Sequence, residues 1–542
     1  MKRNSEYKPL LFTTTIRNPK RMKGLLNILS NFDSEILTNE LAQKIMGELI
    51  RYGLYRPMIK TNTVKGKWND TKNGEFSNVL LSDSEVKNML YNNPQEHKEA
   101  GFDRGWPSRF ATVFDFAKEL GFVYFWQNEK IEFSKIGLIL ANSIEVKTDE
   151  NYILIFDSHP EFEQQAFLHA LAKSQRNNPF VRVLNENVPL ILLLQVIQKL
   201  NSDKELNGAG ISKLELPLVI FWKDNNADVL YKLIKNIRKK YKYNPSWEVI
   251  IDICVNQIME GEFKKFKPKS VMNEYPDEFI RKMRLTGLIS LRGGGRFIDI
   301  NTNEQEKVDY VLKTYSKYPK FETEREYFDY MARTDENLIS FVSKAVGVEE
   351  NNKYLEKWTG IYSFEKIKQE LSILSQKGIS NDDILKYLSN PIRLEFLTSL
   401  AVKSKFPHVK VIPNYPCDDE GVPTSTAGGN GNQGDIECFE NTDGILIEVT
   451  MAEGRTQTMM EVWPISRHLE KFSQKSERSM CYFIAPSIFI DSERQIEFVR
   501  EKEKLSIYPK TIEGFVEHLE NERNLYCSIK KNDRRNNSIK IS

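Results

Sequence analysis

Gly434-Asp435-Ile436-Glu437-Cys438-Phe439-Glu440-Asn441-Thr442-Asp443-Gly444-Ile445-Leu446-Ile447-Glu448-Val449-Thr450 reads as two strand-like runs around an Asp-Gly pair. Asp-Gly is a hairpin signal because tight turns need positive φ. A turn at Asp443-Gly444 that pairs Glu440 with Ile445 sets Phe439 opposite Leu446, Glu437 opposite Glu448 and Asp435 opposite Thr450. Side chains alternate at a period of two, so Asp435, Glu437, Glu448 and Thr450 share one face. Opposed carboxylates repel, and Glu448 follows the apolar run Ile445-Leu446-Ile447, where an unpartnered charge is costly. Neither strand carries Lys or Arg, which makes a divalent cation the expected counter-charge. Oxygen-only ligands point to magnesium, held by Asp435 and Glu448. The simpler alternative makes Glu448 an exposed strand end and Asp435 a loop acid.

Further polar groups extend this pattern. Glu461 follows Glu448 at the same thirteen-residue interval that separates Glu448 from Asp435, and Pro464 suits a helix start that holds Arg467 and His468 in its first turn. Upstream, residues 391–400 read as a helix with Glu395 among Leu394, Phe396 and Leu397; downstream come an apolar strand over 480–485 and a helix over 492–504. Helix, hairpin, helix, buried strand, helix is the layout of a PD-(D/E)XK nuclease core.

Asn432-Gln433-Gly434-Asp435-Ile436-Glu437, Ile447-Glu448-Val449-Thr450, and Thr456-Gln457 through Glu461, Pro464 and Arg467-His468 resemble the catalytic region of the AlwI-type type IIS restriction endonucleases, a group that includes BstNBI-like nicking enzymes. Thr14-Thr15-Ile16-Arg17-Asn18-Pro19 is similar to that family's N-terminal segment. The resemblance covers about residues 391–485 and the N-terminal tip. It implies winged-helix recognition subdomains, a helical linker, and a Mg2+-dependent domain cutting a few base pairs outside an asymmetric site. By motif position it implies an acidic site of Glu395, Asp435, Glu448 and Glu461. Thr450 stands where the general nuclease pattern has Lys, which leaves the water-orienting role to Glu461 or His468.

The N-terminal half carries matching signals. Lys2, Arg3, Lys8, Arg17, Lys20, Arg21 and Lys23 face one acid, Glu6, in the first 23 residues. This basic arm is either a solvated terminus or a phosphate-binding segment, and the hydroxyls of Thr13-Thr14-Thr15 beside Arg17 favour the latter. Residues 108–133 and 276–300 each read as helix, glycine stop and β-hairpin, the ending of a winged-helix unit whose helix enters the major groove. Either one alone also suits an ordinary α+β core. Arg292 and Arg296 flank Gly293-Gly294-Gly295, and Lys235, Arg238, Lys239, Lys240, Lys242, Lys264, Lys265, Lys267 and Lys269 add charge for phosphates. DNA contacts are therefore expected at Arg17, Lys20, Arg21, Arg292 and Arg296.

At 542 residues the chain suits three or four domains: a winged-helix-like subdomain over 1–145, a second over 146–300, a charged helical linker over 301–380, and the cleavage domain over 381–542. The fold class is multidomain α+β with a C-terminal α/β nuclease domain. Lys and Arg total 77 against 75 Asp and Glu, so net charge alone excludes no partner. The longest apolar run, Val188 to Leu194, is far short of a membrane span. The basic N-terminus lacks an apolar signal core, and five scattered cysteines with no C-x-x-C pair favour a reducing compartment; the resemblance implies the cytoplasm of a prokaryotic cell. The expected function is type IIS cleavage of double-stranded DNA, with strand-specific nicking or a second copy or small nuclease subunit as open questions. A non-catalytic DNA-binding regulator with a C-terminal dimerisation domain is the competing reading, disfavoured because dimerisation gives no reason to gather acids on one face. A glycosidase pair leaves the basic arm and the hairpins unexplained.

Overall fold

A computed structural model describes the chain apart from residues 1–5, 13–18, 20, 69–74, 78, 100, 149–151, 153, 207, 209, 262–266, 342–347, 428–432 and 527–542. Arg17, Lys20, Lys264, Lys265 and Cys527 lie outside the described residues. Two compact units divide the chain, Met1–Ser343 and Lys344–Ser542. Among the described residues no helix is long and apolar enough to cross a membrane, and Cys254, Cys417, Cys438 and Cys481 are free and buried.

The first unit repeats one arrangement. Helices Arg21–Ser30 and Asn39–Arg51 flank a short extended stretch in which Ile36 bridges Lys130; helix Trp106–Glu119 then leads into the antiparallel hairpin Val123–Tyr124 with Glu132–Phe133. Further along, Ile211–Ser212 pairs with Phe297–Ile300, which pairs with Ile289–Arg292 after helix Tyr275–Arg284. Gly293, Gly294 and Gly295 close this second hairpin at φ 59°, 64° and 83°, a conformation closed to most side chains. Helix Trp106–Glu119 buries Trp106, Phe110, Phe114 and Phe116 along with Ser108, Ala111, Val113, Ala117 and Lys118. Its apolar residues therefore build a core, Arg109, Thr112 and Asp115 are its less buried positions, and Glu119 accepts from Asn178 at 3.1 Å. The helices of 301–380 fall in both units: Gln305–Tyr315 packs on Pro189–Ser202, and Phe364–Ser375 packs on Asn390–Lys405.

In the second unit, α1 (Val348–Ile361), α2 (Phe364–Ser375) and α3 (Asn390–Lys405) precede β1 (Lys410–Pro413), β2 (Ile436–Glu440), β3 (Asp443–Val449), α4 (Gly454–Met460), α5 (Val462–Phe472), β4 (Arg478–Ala485), α6 (Ile490–Lys502), β5 (Ile507–Thr511) and α7 (Ile512–Asn521). The strands form one sheet in the order β5-β4-β3-β2-β1, parallel from β3 to β5 and antiparallel across β2. Leu446, Cys481 and Phe483 face Val462, Ile465, Leu469 and Phe472 of α5 and Ile496 and Val499 of α6 in a core cluster. Tyr482, one position on in β4, turns to the other face, where its hydroxyl meets His518 Nε2 of α7 at 2.6 Å. The unit is thus a sheet between helix layers.

The hairpin register corrects the expected one by two residues. Asp443 pairs with Glu440, Leu446 with Glu437 and Ile447 with Ile436, so the turn is Asn441-Thr442, with Asn441 at φ 57°. Gly444 is a strand residue, needed because a Cβ there would strike Ser476 Oγ and stand 2.8 Å from Phe472 Cε1. Arg478 holds Asp443 at the strand start through two 2.6 Å bonds. A slip of two conserves side-chain parity, so Asp435 and Glu448 keep a common face while Glu437 moves opposite Leu446.

Candidate active site

Strands β2 and β3 bring Asp435 and Glu448 together. Continuing the observed register one step sets Asp435 opposite Glu448, and Val449 N donates to Asp435 Oδ2 at 2.8 Å. Glu448 is 6% exposed although it carries a carboxylate, and His468 Nδ1 on α5 lies 2.9 Å from its Oε1. Gly434 makes room: a Cβ there would stand 2.6 Å from Glu448 Oε1. Glu395, buried on α3, accepts from Ala427 N at 3.0 Å and adds a third acid. Glu461 begins α5 and accepts from Thr450 Oγ1 at 2.6 Å.

Burial pushes the Glu395, Asp435 and Glu448 carboxyls well above the usual range. Neighbouring charge adds to it: Asp435 acts on Glu395, Glu448 on Asp435, and Glu461 on Glu448. Burial lowers His468, against the pull of Asp435. Glu437, expected on this acidic face, is instead neutralised by Lys475 Nζ at 2.7 and 2.9 Å, a cation supplied from beyond the two strands. Glu440 likewise meets His408 at 2.8 Å. Half-buried Asp435 and buried Glu448 thus form a carboxylate pair of the kind that a divalent cation relieves. Among the described residues no three His, Cys, Asp or Glu groups stand together as a ligand set. Two carboxylates, with other positions left to water and phosphate, are the donor set magnesium takes.

The model of the AlwI restriction endonuclease family matches residues 118–354 and 344–518. The chain belongs to that family. It is a DNA-binding nuclease of the restriction endonuclease class. No curated protein sequence matches it. Among solved structures it is similar to the small subunit of the heterodimeric restriction endonuclease R.BspD6I, with 22% identity and a TM-score of 0.25 over 32% of this chain and 87% of that one. The BpuJ1 endonuclease binding domain, solved with pyrene- and phenanthrene-modified DNA, matches at 11% identity and TM-score 0.35, over 61% of this chain and 97% of the other. The restriction endonuclease FokI matches at 8% identity and TM-score 0.25, over 96% of each chain.

This AlwI-family chain treats its expected DNA contacts unequally. Arg296 stands exposed at the hairpin tip, whereas Arg292 is tied across the same hairpin to Asp299 at 3.0 Å. Arg21 is partly buried at the start of its helix, and burial lowers its pKa. Arg238 is 3% exposed and bound to the buried Glu215 through two 2.8 Å bonds, so it braces the core. Lys235 is taken by Asp203 at 2.7 Å. One residue of the site region carried no sequence signal of its own beyond the family resemblance: Gln457, fully buried, donates to Ala452 O at 3.1 Å and Ser487 O at 2.9 Å and accepts from Phe489 N at 2.9 Å. A glutamine amid Thr, Met and Arg looks solvated until the loops it joins are seen.

Proposed function

We propose that the chain is a type IIS endonuclease: residues 1–343 read a short asymmetric duplex site, and the second unit hydrolyses a phosphodiester bond a few base pairs outside it. The observation that carries this is the Asp435–Glu448 pair flanked by Glu395, Glu461 and His468, an acidic pocket suited to a cation and a phosphate. The repeated helix, short strand, helix and hairpin arrangement of the first unit supports two winged-helix modules, with Arg296 at one wing tip. Each core-packed helix argues for readout from the hairpins and arm as much as from the helices.

Asp435 and Glu448 would hold magnesium, and the charge of Glu395 would tune the pair. When bound, the ion supplies positive charge against the phosphate and the leaving 3′ oxygen. Glu461, held by Thr450 Oγ1, would orient the attacking water and accept its proton, which would give the missing lysine's role to this pair. His468 is committed to Glu448 and positions it. One such site per chain cuts one strand, so cleavage of both calls for a second copy or a partner nuclease subunit.

Digestion of a supercoiled plasmid across a magnesium titration, with run-off sequencing of the ends, tests the reading. Discrete nicks or breaks at a fixed offset from one sequence support it. Site-specific binding without cleavage at any magnesium level would instead establish the non-catalytic DNA-binding regulator.

A further inference from the structure

A polyanionic pocket repels the strand it must cut, so cations close by have to hold that strand in place. Many cations around the sheet are spent inside the protein: Lys475 on Glu437, Arg478 on Asp443 and Lys377 on Glu453. Arg455, Arg467 and Lys471 differ. All three are exposed, and none has an ion pair or side-chain hydrogen bond among the described residues.

Their spacing adds to this. Arg455, Met459, Trp463, Arg467 and Lys471 recur every fourth residue through α4 and α5. Met459 is 42% exposed and Trp463 47% exposed, large apolar surface left in water. On α5, Val462, Ile465, Leu469 and Phe472 enter the core while His468 turns to Glu448. Positions four apart share a face, so Trp463, Arg467 and Lys471 lie together on a third side of the same helix. Arg467 directly precedes His468, whose Nδ1 lies 2.9 Å from Glu448 Oε1, so the helix that carries Arg467 and Lys471 also borders the acidic pocket. On α5 the rise from Trp463 to Lys471 is about 12 Å, on the order of three or four nucleotides of one strand.

We propose that this ladder is the track on which the scissile strand is laid, with Arg467 and Lys471 holding phosphates beside the cut and Trp463 stacking on a base or sugar. Cations interleaved with an aromatic are how a nucleic-acid strand is held without reading its sequence. That suits a domain cutting outside the recognition site. A protein partner would also cover Trp463 and Met459, but it would leave three unpaired cations without a purpose. The proposal rests on the nuclease reading above.

The test measures kcat/KM for plasmid cleavage by the full chain as a function of salt. The Arg467→Ala/Lys471→Ala variant should flatten the slope of log(kcat/KM) against log[salt] by about 1.8, since each phosphate contact contributes about 0.9. The charge-conserving Arg467→Lys/Lys471→Arg variant should keep the wild-type slope, a rescue that a merely structural role would not give. Trp463→Ala should lower kcat/KM about tenfold or more and Trp463→Phe much less. An unchanged slope in the double alanine variant overturns the track. So does a Trp463→Ala chain that keeps its rate and slope but loses an oligomer on sedimentation, which would assign the face to a protein. A wild-type chain that cuts no DNA sinks the nuclease reading itself, a separate outcome.

Discussion

Thr450 Oγ1 donates to Glu461 Oε1 at 2.6 Å, linking the end of β3 to the start of α5. The same hydroxyl accepts from Ala452 N at 3.0 Å, which fixes its rotamer. Thr450→Val keeps the shape and removes both bonds. We expect kcat to fall about tenfold or more with site binding unchanged, and Thr450→Ser to restore most of it. Equal activity in the valine variant would remove Glu461 from water activation.

Asp435→Asn and Glu448→Gln should abolish cleavage while leaving site-specific binding near wild type in a gel-shift assay. They should also stabilise the metal-free protein at neutral and alkaline pH. The folded carboxyl pKa values lie above the ordinary 3.8 and 4.5. The stability each contributes is present below those ordinary values and is lost as pH rises through the folded ones. The amides escape that loss, so their Tm should exceed wild type at about pH 8, by about 2–4 °C per kcal/mol relieved, and the gap should close in acid. Magnesium affinity should rise with pH over the same range, because the ion displaces those protons. A Tm at about pH 8 no higher than wild type would show the pair is not strained when empty.

Gly434→Ala tests how tightly Glu448 is placed. The added methyl meets Glu448 Oε1 at 2.6 Å and Leu446, so the carboxylate must shift. Cleavage should drop by an order of magnitude or more, since small misplacements are costly, with recognition of the DNA site retained. Full cleavage activity would show that the loop before β2 yields freely.

Gln457→Ala strips two carbonyls and one N–H of their partners in a fully buried position. Chemical denaturation should show a loss of about 2–4 kcal/mol. A loss under about 0.5 kcal/mol would mean that water replaces the side chain there.

Arg238 and Arg296 look alike in a sequence and should separate in experiment. Arg238→Met leaves Glu215 buried and unpaired, at a cost of about 3–5 kcal/mol, read as a fall in Tm. Arg296→Ala should leave Tm unchanged and weaken DNA binding, with a salt slope shallower by about one. The reverse pattern would exchange their roles.

Much of the second unit could be read along the chain because its signals are local. The apolar runs at 445–447 and 480–485 are strands, the helix carrying Glu395 was read, Pro464 marked the helix carrying His468 although that helix starts two residues earlier at Val462, and a period of two put Asp435 and Glu448 on one face under either register. What the chain could not declare was who pairs with whom across distance. Gly444 read as a turn residue but serves close approach to Phe472 and Ser476. Glu437 read as part of the acidic face, and Lys475 proves to pair it, while basic residues that read as phosphate contacts divide into braces such as Arg238 and exposed groups such as Arg296. Backbone propensity and alternation act over a few residues, so sequence alone determined the elements and the faces. Burial and ion pairing depend on groups tens to hundreds of positions apart, so only the folded chain decided which charges are spent inside the protein.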